Sequence, residues 1–288
     1  MKTLLAVGCS FTNKEYQSRE HPEMDCSWPK WPEVLGNRLG YKVVNLGRNG
    51  GSNDSILRSA QDYMIENKVD MVCALWTEPF RFNIHDCVFN SWYTDIIAES
   101  GKKLTEIQKR VLKTEASEVI NGSELAHLLM KGHKHIKLAN EQLRYIRTLD
   151  VIGTSHNVPV YHMQGCPLWN KFLYEIYFAS TTYANKGGWK GAPAKLGLNF
   201  QYMAKQKFEL WLEAFLDSPY FAILDKQTNI YGWPFYQELG GFAIDQIFKQ
   251  EGPDQDILSD KDKHPNAHGH EVIANEYFEL IESDETNK

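Results

Sequence analysis

Four short apolar runs, separated by segments with helical periodicity, constrain the fold of this chain more than any other feature. They are Leu4–Val7, Lys42–Asn45, Val69–Trp76 and Val158–His162. A short continuous apolar run bounded by turn residues is typical of a strand that is buried on both faces, as in a parallel sheet. Strands of this kind that alternate with helices predict an α/β fold, a three-layer α/β/α sandwich with a mostly parallel sheet.

The segments between these runs have the spacing of helices. Trp31–Gly40 ends in a glycine, which is an ordinary helix C-cap, and Ser55–Asn67 repeats apolar residues every three or four positions. A longer helix is predicted from Ser123 onward, with Ser123 as its N-cap and an apolar stripe that reaches Ile146, and a last helix is predicted from about Asn266.

Composition sets the class of the protein and its domain organisation. The chain has 288 residues, of which 42% are hydrophobic and 24% charged. These values exclude disordered, collagen-like and coiled-coil proteins. No linker rich in Pro, Gly or Ser divides the sequence, so we expect one domain over residues 1–282 that carries two insertions, at about 83–122 and 165–250. The polar segment 283–288 is predicted to be a frayed tail.

Several classes of partner are not expected. No stretch approaches the roughly 20 apolar residues that cross a bilayer, and Leu4–Val7 is too short for the apolar region of a signal peptide. Five cysteines without a C-x-x-C pair predict reduced thiols in a cytoplasmic protein, and a net charge of −6 argues against nucleic-acid binding. His264, His268 and His270 lack a second ligand cluster, so no metal or other cofactor is expected. The oligomeric state stays open.

The strongest local signal for chemistry directly follows the first apolar run, in Val7-Gly8-Cys9-Ser10-Phe11-Thr12. A serine at the turn after a parallel strand presents its hydroxyl at the carboxyl edge of the sheet, where ligands bind in open α/β folds. The alternative is that Ser10 only caps a helix. A phosphate cradle is disfavoured, because the segment contains neither G-x-G-x-x-G nor G-x-x-x-x-G-K-[ST].

The second signal lies near the other end of the chain, in Asp260-Lys261-Asp262-Lys263-His264-Pro265-Asn266. A carboxylate two residues before a histidine, just ahead of a helix, places an imidazole beside an acid on a constrained loop. Serine chemistry requires a base within about 2.6–3.2 Å of the hydroxyl and a carboxylate that fixes the tautomer of the base. The two signals together favour nucleophilic catalysis by a serine.

Three motifs, taken in order, resemble those of the SGNH, or GDSL-like, hydrolases. Gly8–Thr12 resembles block I (Gly-Asp-Ser-x-[Ser/Thr]), and Asn45–Gly50 resembles block II, in which a strand-end Asn precedes the Gly of the oxyanion hole. His264–His270 resembles block V, which carries the base. The resemblance implies a three-layer sandwich with a Ser-His-Asp site that acts mostly on esters. It suggests a carboxylesterase or an O-deacetylase of a carbohydrate or small molecule.

The resemblance also implies the roles of individual residues. Ser10 would be the nucleophile, His264 the general base, and the amides of Ser10 and Gly50 would bind the developing oxyanion. In the family the acid lies three residues before the histidine, where this chain has a lysine. Asp262 or Asp260, each one position away from that lysine, must take its place, and Asp262 is the favoured candidate.

The block III asparagine that follows the third strand in this family has no direct counterpart. The sequence there reads Leu75-Trp76-Thr77-Glu78-Pro79-Phe80-Arg81, in which Thr77 or Arg81 is the candidate oxyanion donor. Trp76, Glu78 and Arg81 are predicted to line the substrate pocket.

Two further departures from the family pattern have structural interpretations. The segment Gly51-Ser52-Asn53-Asp54 matches block III literally but comes too early, so we expect Asn53 or Asp54 to be the N-cap of the next helix. Cys9 stands where block I has an aspartate and is expected to be buried, because adjacent residues of an extended segment point in opposite directions.

These departures keep two other functions open. A binding or assembly protein could retain the fold and lack activity, and an acyltransferase could use the same triad with a sugar acceptor instead of water. The insertions and the divergent motifs also resemble those of viral or phage-encoded relatives, which leaves such an origin open.

Overall fold

The computed structural model describes residues 1–79, 81–84, 87–90, 135–166, 212–253 and 255–286. Its strands are β1 (Thr3–Gly8), β2 (Lys42–Asn45), β3 (Met71–Trp76), β4 (Arg81–Ile84), β5 (Cys87–Asn90), β6 (Val160–Gln164) and β7 (Ile230–Tyr231). Its helices are α1 (Trp31–Leu39), α2 (Asn53–Glu66), α3 (His135–His156), α4 (Phe221–Leu224) and α5 (Ala267–Thr286), with 3₁₀ turns at Gln237–Leu239 and Ile244–Gln246. None of the helices described in these ranges is long and apolar enough to span a membrane.

The main sheet has five parallel strands in the order β2-β1-β3-β6-β7. The four strands predicted from apolar runs are all present, and the α/β fold with a parallel sheet is confirmed. The bounds of β2 are those predicted, and the ends of the other three differ from the prediction by at most two residues. The fifth strand, β7, lies within the segment 165–250 that was interpreted as an insertion.

Helices cover both faces of this sheet, which confirms the three-layer arrangement. Leu4 and Ala6 of β1 belong to a buried cluster that also contains side chains of α1 and α5, among them Trp31 and Tyr277. The rings of Trp31 and Tyr277 stack with centroids 4.7 Å apart. Because successive side chains of a strand point to opposite faces, Leu5 faces the other layer, where α2 packs against β1 and β3.

Ser52 is the N-cap of α2. Its backbone is extended, and its side-chain oxygen accepts a hydrogen bond from the amide of Ser55. The prediction that Asn53 or Asp54 caps this helix is therefore wrong. The buried amide of Asn53 is engaged instead with the backbone of Thr77 after β3.

The two long helices were both predicted, from their caps and apolar stripes. The described part of α3 contains Leu143 and Ile146 of its predicted stripe and runs on to His156, whereas its predicted N-cap, Ser123, lies outside the described residues. The last helix begins after Asn266, whose side chain accepts a hydrogen bond from the Gly269 amide, as expected of an N-cap.

The helix α5 continues through residues 283–286, which were predicted to be frayed. Asp284 is buried there, where it accepts hydrogen bonds from the hydroxyls of Tyr161 (3.2 Å) and Thr228 (2.9 Å). These bonds tie the last turn of α5 to β6 and to the segment before β7, which explains why the helix does not end at residue 283.

The chain divides into two compact units. One consists of Met1–Glu78, Arg144–Leu168 and Ile223–Lys288 and contains the parallel sheet. The other consists of Pro79–Leu143 and Trp169–Ala222, and its described residues include the antiparallel pair β4–β5. The single domain with two insertions stays a prediction, and most of residues 83–122 and much of 165–250 lie outside the described ranges.

Candidate active site

Ser10 lies on a tight turn at the carboxyl edge of the main sheet. The strand β1 ends at Gly8, and the amides of Thr12 and Asn13 then donate to the carbonyl of Cys9 (3.0 and 3.1 Å), which reverses the chain. Gly8 is required for this turn, because a Cβ there would come within 2.0 Å of Oγ1 of Thr12. The hydroxyl of Ser10 forms a hydrogen bond with His264. Its role is therefore not only that of a helix cap, which was the alternative.

Ser10, His264 and Asp262 form a continuous line of hydrogen bonds. The distance from Oγ of Ser10 to Nε2 of His264 is 2.8 Å, and the distance from Nδ1 of His264 to Oδ1 of Asp262 is 2.5 Å. An ionised carboxylate only accepts hydrogen bonds, so Nδ1 carries the proton. The lone pair on Nε2 is then free to accept the hydroxyl proton of Ser10, which is the arrangement that a general base requires.

The loop before α5 explains how an acid only two residues from the histidine reaches it. The amide of Ser259 donates to the carbonyl of Asp262 (3.0 Å), and the amide of Leu258 donates to the carbonyl of His264 (2.9 Å). Oδ1 of Asp262 also accepts a hydrogen bond from the amide of His264 (3.1 Å), which directs the carboxylate towards the residue two positions on. Asp262 and His264 therefore face each other, whereas Asp260, the other candidate acid, is exposed and pairs with Lys263.

Asp262 is 5% exposed and accepts four hydrogen bonds. Oδ1 accepts from the amide and from Nδ1 of His264, and Oδ2 accepts from the hydroxyls of Tyr16 (2.8 Å) and Ser18 (2.5 Å). Burial raises the pKa of Asp262, but the hydrogen bonds from His264, Ser18 and Tyr16 outweigh it and hold that pKa well below its usual range. The carboxylate is therefore ionised at neutral pH.

The loop that resembles block II packs directly on the Ser10 turn. The amide of Arg48 donates to the carbonyl of Gly8 (3.1 Å), and a Cβ on Gly47 would come within 2.5 Å of the Thr12 carbonyl carbon. Gly50 has a φ of 68°, in the left-handed region that favours glycine. Within the described chain, the amides of Ser10 and Gly50 donate to no other residue, so both are available to a ligand.

Thr77 occupies the place where block III would lie, just beyond the end of β3. The side chain of Asn53 makes two hydrogen bonds to the Thr77 backbone. Nδ2 donates to the Thr77 carbonyl (2.9 Å), and Oδ1 accepts from the Thr77 amide (2.8 Å). Gln164 also donates to that carbonyl (3.0 Å). Oγ1 of Thr77 is buried and has no hydrogen-bond partner among the described residues. Asn53 thus reaches the block III position from the segment Gly51–Asp54.

The residues predicted to line the pocket have different environments. The side chain of Trp76 is 0% exposed and stacks on His162, to which Nε1 donates a hydrogen bond (3.1 Å). Trp76 is therefore a core residue, and its assignment to the pocket is wrong, because it is the last residue of a strand buried on both faces. Glu78 and Arg81 are half-buried, and their assignment stays a prediction.

Cys9 is buried, as expected, and lies beside Cys166. A hydrogen bond with Cys9, together with burial, raises the pKa of the Cys166 thiol well above its usual value. A thiol that stays protonated at neutral pH is a poor nucleophile. The described residues contain no group of three or more His, Cys, Asp or Glu side chains that could hold a metal ion.

His270 was considered above as a metal ligand and as part of the block V segment, and the structure places it in the core against α1. His270 is buried in the first turn of α5, and its Nδ1 accepts a hydrogen bond from the Trp31 amide (3.3 Å). Burial, with electrostatic interactions from Lys30 and His264, lowers the pKa of His270 to about 3. His270 is therefore neutral in the folded protein at every pH at which the site would work.

The low pKa of His270 predicts a loss of stability in mild acid. In the unfolded chain a histidine has a pKa of about 6.5, so protons favour the unfolded state as the pH falls from that value towards 3. At pH 5 this amounts to a loss of about 2 kcal/mol. The variant His270→Asn keeps an amide oxygen that can accept from the Trp31 amide. Between pH 7.5 and 5.0 we expect its free energy of unfolding, measured with urea, to fall by about 2 kcal/mol less than that of the wild type. Equal losses in the two proteins would contradict the assignment.

The fold and these contacts define an α/β protein with a serine, a histidine and an aspartate aligned at the carboxyl edge of its parallel sheet. Solved structures similar to this chain include an acetylxylan esterase from Geobacillus stearothermophilus, as a catalytic mutant (13% identity, TM-score 0.40, covering 97% of this chain and 94% of that one). They also include a carbohydrate acetylesterase family member from Sinorhizobium meliloti (13% identity, TM-score 0.37, covering 98% of this chain and 97% of that one). A third is a member of the lipolytic protein G-D-S-L family from Veillonella parvula (10% identity, TM-score 0.36, covering 97% of each chain). With TM-scores below 0.5, these likenesses carry no argument for what this chain does. No family model and no curated protein matches the sequence.

Proposed function

We propose that this protein is a serine hydrolase that cleaves esters through an acyl-enzyme intermediate on Ser10. The observation that carries the proposal is the pair of hydrogen bonds in which His264 takes part, 2.8 Å to Oγ of Ser10 and 2.5 Å to Oδ1 of Asp262. The first distance lies within the range in which a histidine can remove a hydroxyl proton. The second fixes the tautomer that this proton transfer requires.

The reaction would proceed in two steps. Oγ of Ser10 attacks the ester carbonyl carbon while Nε2 of His264 takes the hydroxyl proton, and the alcohol then leaves with that proton. A water molecule next attacks the acyl group on Ser10, again giving its proton to Nε2, which releases the acid and restores the hydroxyl. Throughout, Asp262 stabilises the imidazolium that forms at each transfer.

The negative charge on the carbonyl oxygen would be stabilised at the edge of the sheet. The available amides of Ser10 and Gly50 are the proposed donors. Oγ1 of Thr77 stands at the block III position but is buried, so it can serve as a third donor only if substrate binding opens a path to it. One such donor contributes roughly 2.7–4 kcal/mol to a transition state of this kind. By the resemblance of the sequence motifs, the substrate is an acyl ester of a carbohydrate or small molecule, as for a carboxylesterase or an O-deacetylase.

The decisive experiment is covalent labelling. A fluorophosphonate probe at pH 7–8 should add its mass to the peptide that contains Ser10, and Ser10→Ala should abolish this addition. Ser155→Ala, an exposed serine at the end of α3, is the matched control and should label like the wild type. A folded wild-type protein that stays unlabelled, or that labels at another serine, would refute the proposal.

The 2.8 Å distance between Oγ of Ser10 and Nε2 of His264 also bears on the two alternative functions, an inactive binding protein and an acyltransferase. A protein that had lost its activity has no need to keep a hydroxyl within hydrogen-bond distance of an imidazole whose tautomer is fixed, so we do not propose an inactive binding protein. An acyltransferase would use the same acyl-enzyme, and product analysis with an added sugar acceptor distinguishes it from a hydrolase.

A further inference from the structure

The segment that follows the Ser10 turn reaches back over the acid–base pair. The ring of Tyr16 stacks on the imidazole of His264, with centroids 4.2 Å apart and planes 24° from parallel. Oη of Tyr16 lies 2.8 Å from Oδ2 of Asp262 and 2.9 Å from Nδ1 of His264. Oγ of Ser18 lies 2.5 Å from the same Oδ2. No sequence motif pointed to either residue, although both lie within eight positions of Ser10.

The chemistry of the three groups fixes the direction of each hydrogen bond. The carboxylate of Asp262 can only accept, so the hydroxyls of Tyr16 and Ser18 both donate to Oδ2. The phenol has a single proton, so its oxygen can only accept from Nδ1 of His264. Burial and the nearby carboxylate of Asp262 raise the pKa of Tyr16, which keeps the phenol protonated and able to donate.

The short spacing between acid and base makes these two donors necessary. With only one residue between them, the amide and Nδ1 of His264 both bind Oδ1 of Asp262 and leave Oδ2 to other partners. A buried carboxylate oxygen without a donor is costly, and the carboxylate would rotate to reduce that cost. Rotation of Asp262 would in turn release the imidazole that it orients.

We propose that Tyr16 and Ser18 are positioning residues for the acid–base pair, an inference that rests on the serine-hydrolase function proposed above. Their hydroxyls hold Oδ2 of Asp262, so that Oδ1 stays directed at Nδ1 of His264. The ring of Tyr16 fixes the plane of the imidazole, so that Nε2 stays directed at Oγ of Ser10. Neither residue touches the reacting atoms.

The test is Tyr16→Phe, which keeps the stacked ring and removes only the hydroxyl. We expect about a tenfold fall in the rate of fluorophosphonate labelling and in kcat for p-nitrophenyl acetate, with KM changed by less than about twofold. The acidic limb of the pH–rate profile should also move to higher pH. With one donor fewer, the carboxylate of Asp262 interacts more strongly with the imidazolium form of its partner. Ser18→Ala should have the same effects.

The matched control is Tyr161→Phe, which removes a tyrosine–aspartate hydrogen bond to Asp284 in the same unit. Its labelling rate and pH profile should equal those of the wild type. If the wild type labels at Ser10 and both Tyr16→Phe and Ser18→Ala have its rate and profile, the inference fails while the proposed function stands. A lower rate with an unmoved acidic limb would assign Tyr16 a merely structural role and would also overturn the inference. A wild type that does not label refutes the proposed function itself.

Discussion

Asp262→Asn should lower kcat for p-nitrophenyl acetate by about 10³–10⁴-fold while the protein stays folded. The asparagine amide is nearly the same size as the carboxylate, so the loop from 255 to 264 keeps its backbone hydrogen bonds. Its NH₂ group, however, can donate to Nδ1 of His264 and favour the tautomer with the proton on Nε2. That proton would point at Oγ of Ser10 and leave no lone pair to accept the hydroxyl proton.

The matched control for this variant is Asp260→Asn, since Asp260 was the other candidate acid. The carboxylate of Asp260 is exposed and pairs only with Lys263 among the described residues, so its removal should change kcat by less than about twofold. The two variants are to be compared by steady-state kinetics and by the rate of fluorophosphonate labelling. A large loss in Asp260→Asn, or a small one in Asp262→Asn, would reverse the assignment of the acid.

The sequence allowed prediction of those parts of the site that lie within short motifs. Ser10 follows a recognisable buried strand, and His264 opens a recognisable helix, so each could be assigned from its neighbours in the chain. The acid could be narrowed to two residues, because any acid that contacts His264 from this loop must lie close to it in sequence. Choosing between Asp262 and Asp260 required the fold of the loop, which is set by the turn at Ser259.

The site residues that could not be predicted from the sequence make their hydrogen bonds to residues that are far away along the chain. Tyr16 and Ser18 bind Asp262 across more than 240 positions, and no local pattern encodes such a contact. Asn53 was interpreted as a helix cap because asparagine favours that position, but Ser52 takes the cap and frees Asn53 to reach Thr77, 24 residues away. Trp76 was assigned to the pocket because it ends a strand, and only the packing of His162 against it identifies it as core.

The link between Asn53 and Thr77 predicts the largest effect on stability. Asn53→Ala should lower the free energy of unfolding by about 2–4 kcal/mol, because it leaves the Thr77 amide buried without an acceptor and removes one donor from the Thr77 carbonyl. Gln164 still donates to that carbonyl, so most of the lost stability comes from the unpaired Thr77 amide. Urea unfolding at pH 7.5 measures it. The neighbouring variant Asp54→Ala, which removes a surface pair with Arg58, should cost less than about 1 kcal/mol.

The same variant also tests whether Asn53 supports the proposed oxyanion site. Asn53→Ala releases the backbone that holds Thr77 at the edge of the sheet, so kcat should fall together with stability. Thr77→Val keeps both backbone hydrogen bonds and removes only Oγ1, so it should retain wild-type stability to within about 1 kcal/mol. If Oγ1 is an oxyanion donor, Thr77→Val should nevertheless lower kcat by about 10²-fold or more, whereas Thr77→Ser should keep most of the activity. Wild-type kcat in Thr77→Val would restrict the oxyanion site to the amides of Ser10 and Gly50, and would leave Asn53 with a role in stability alone.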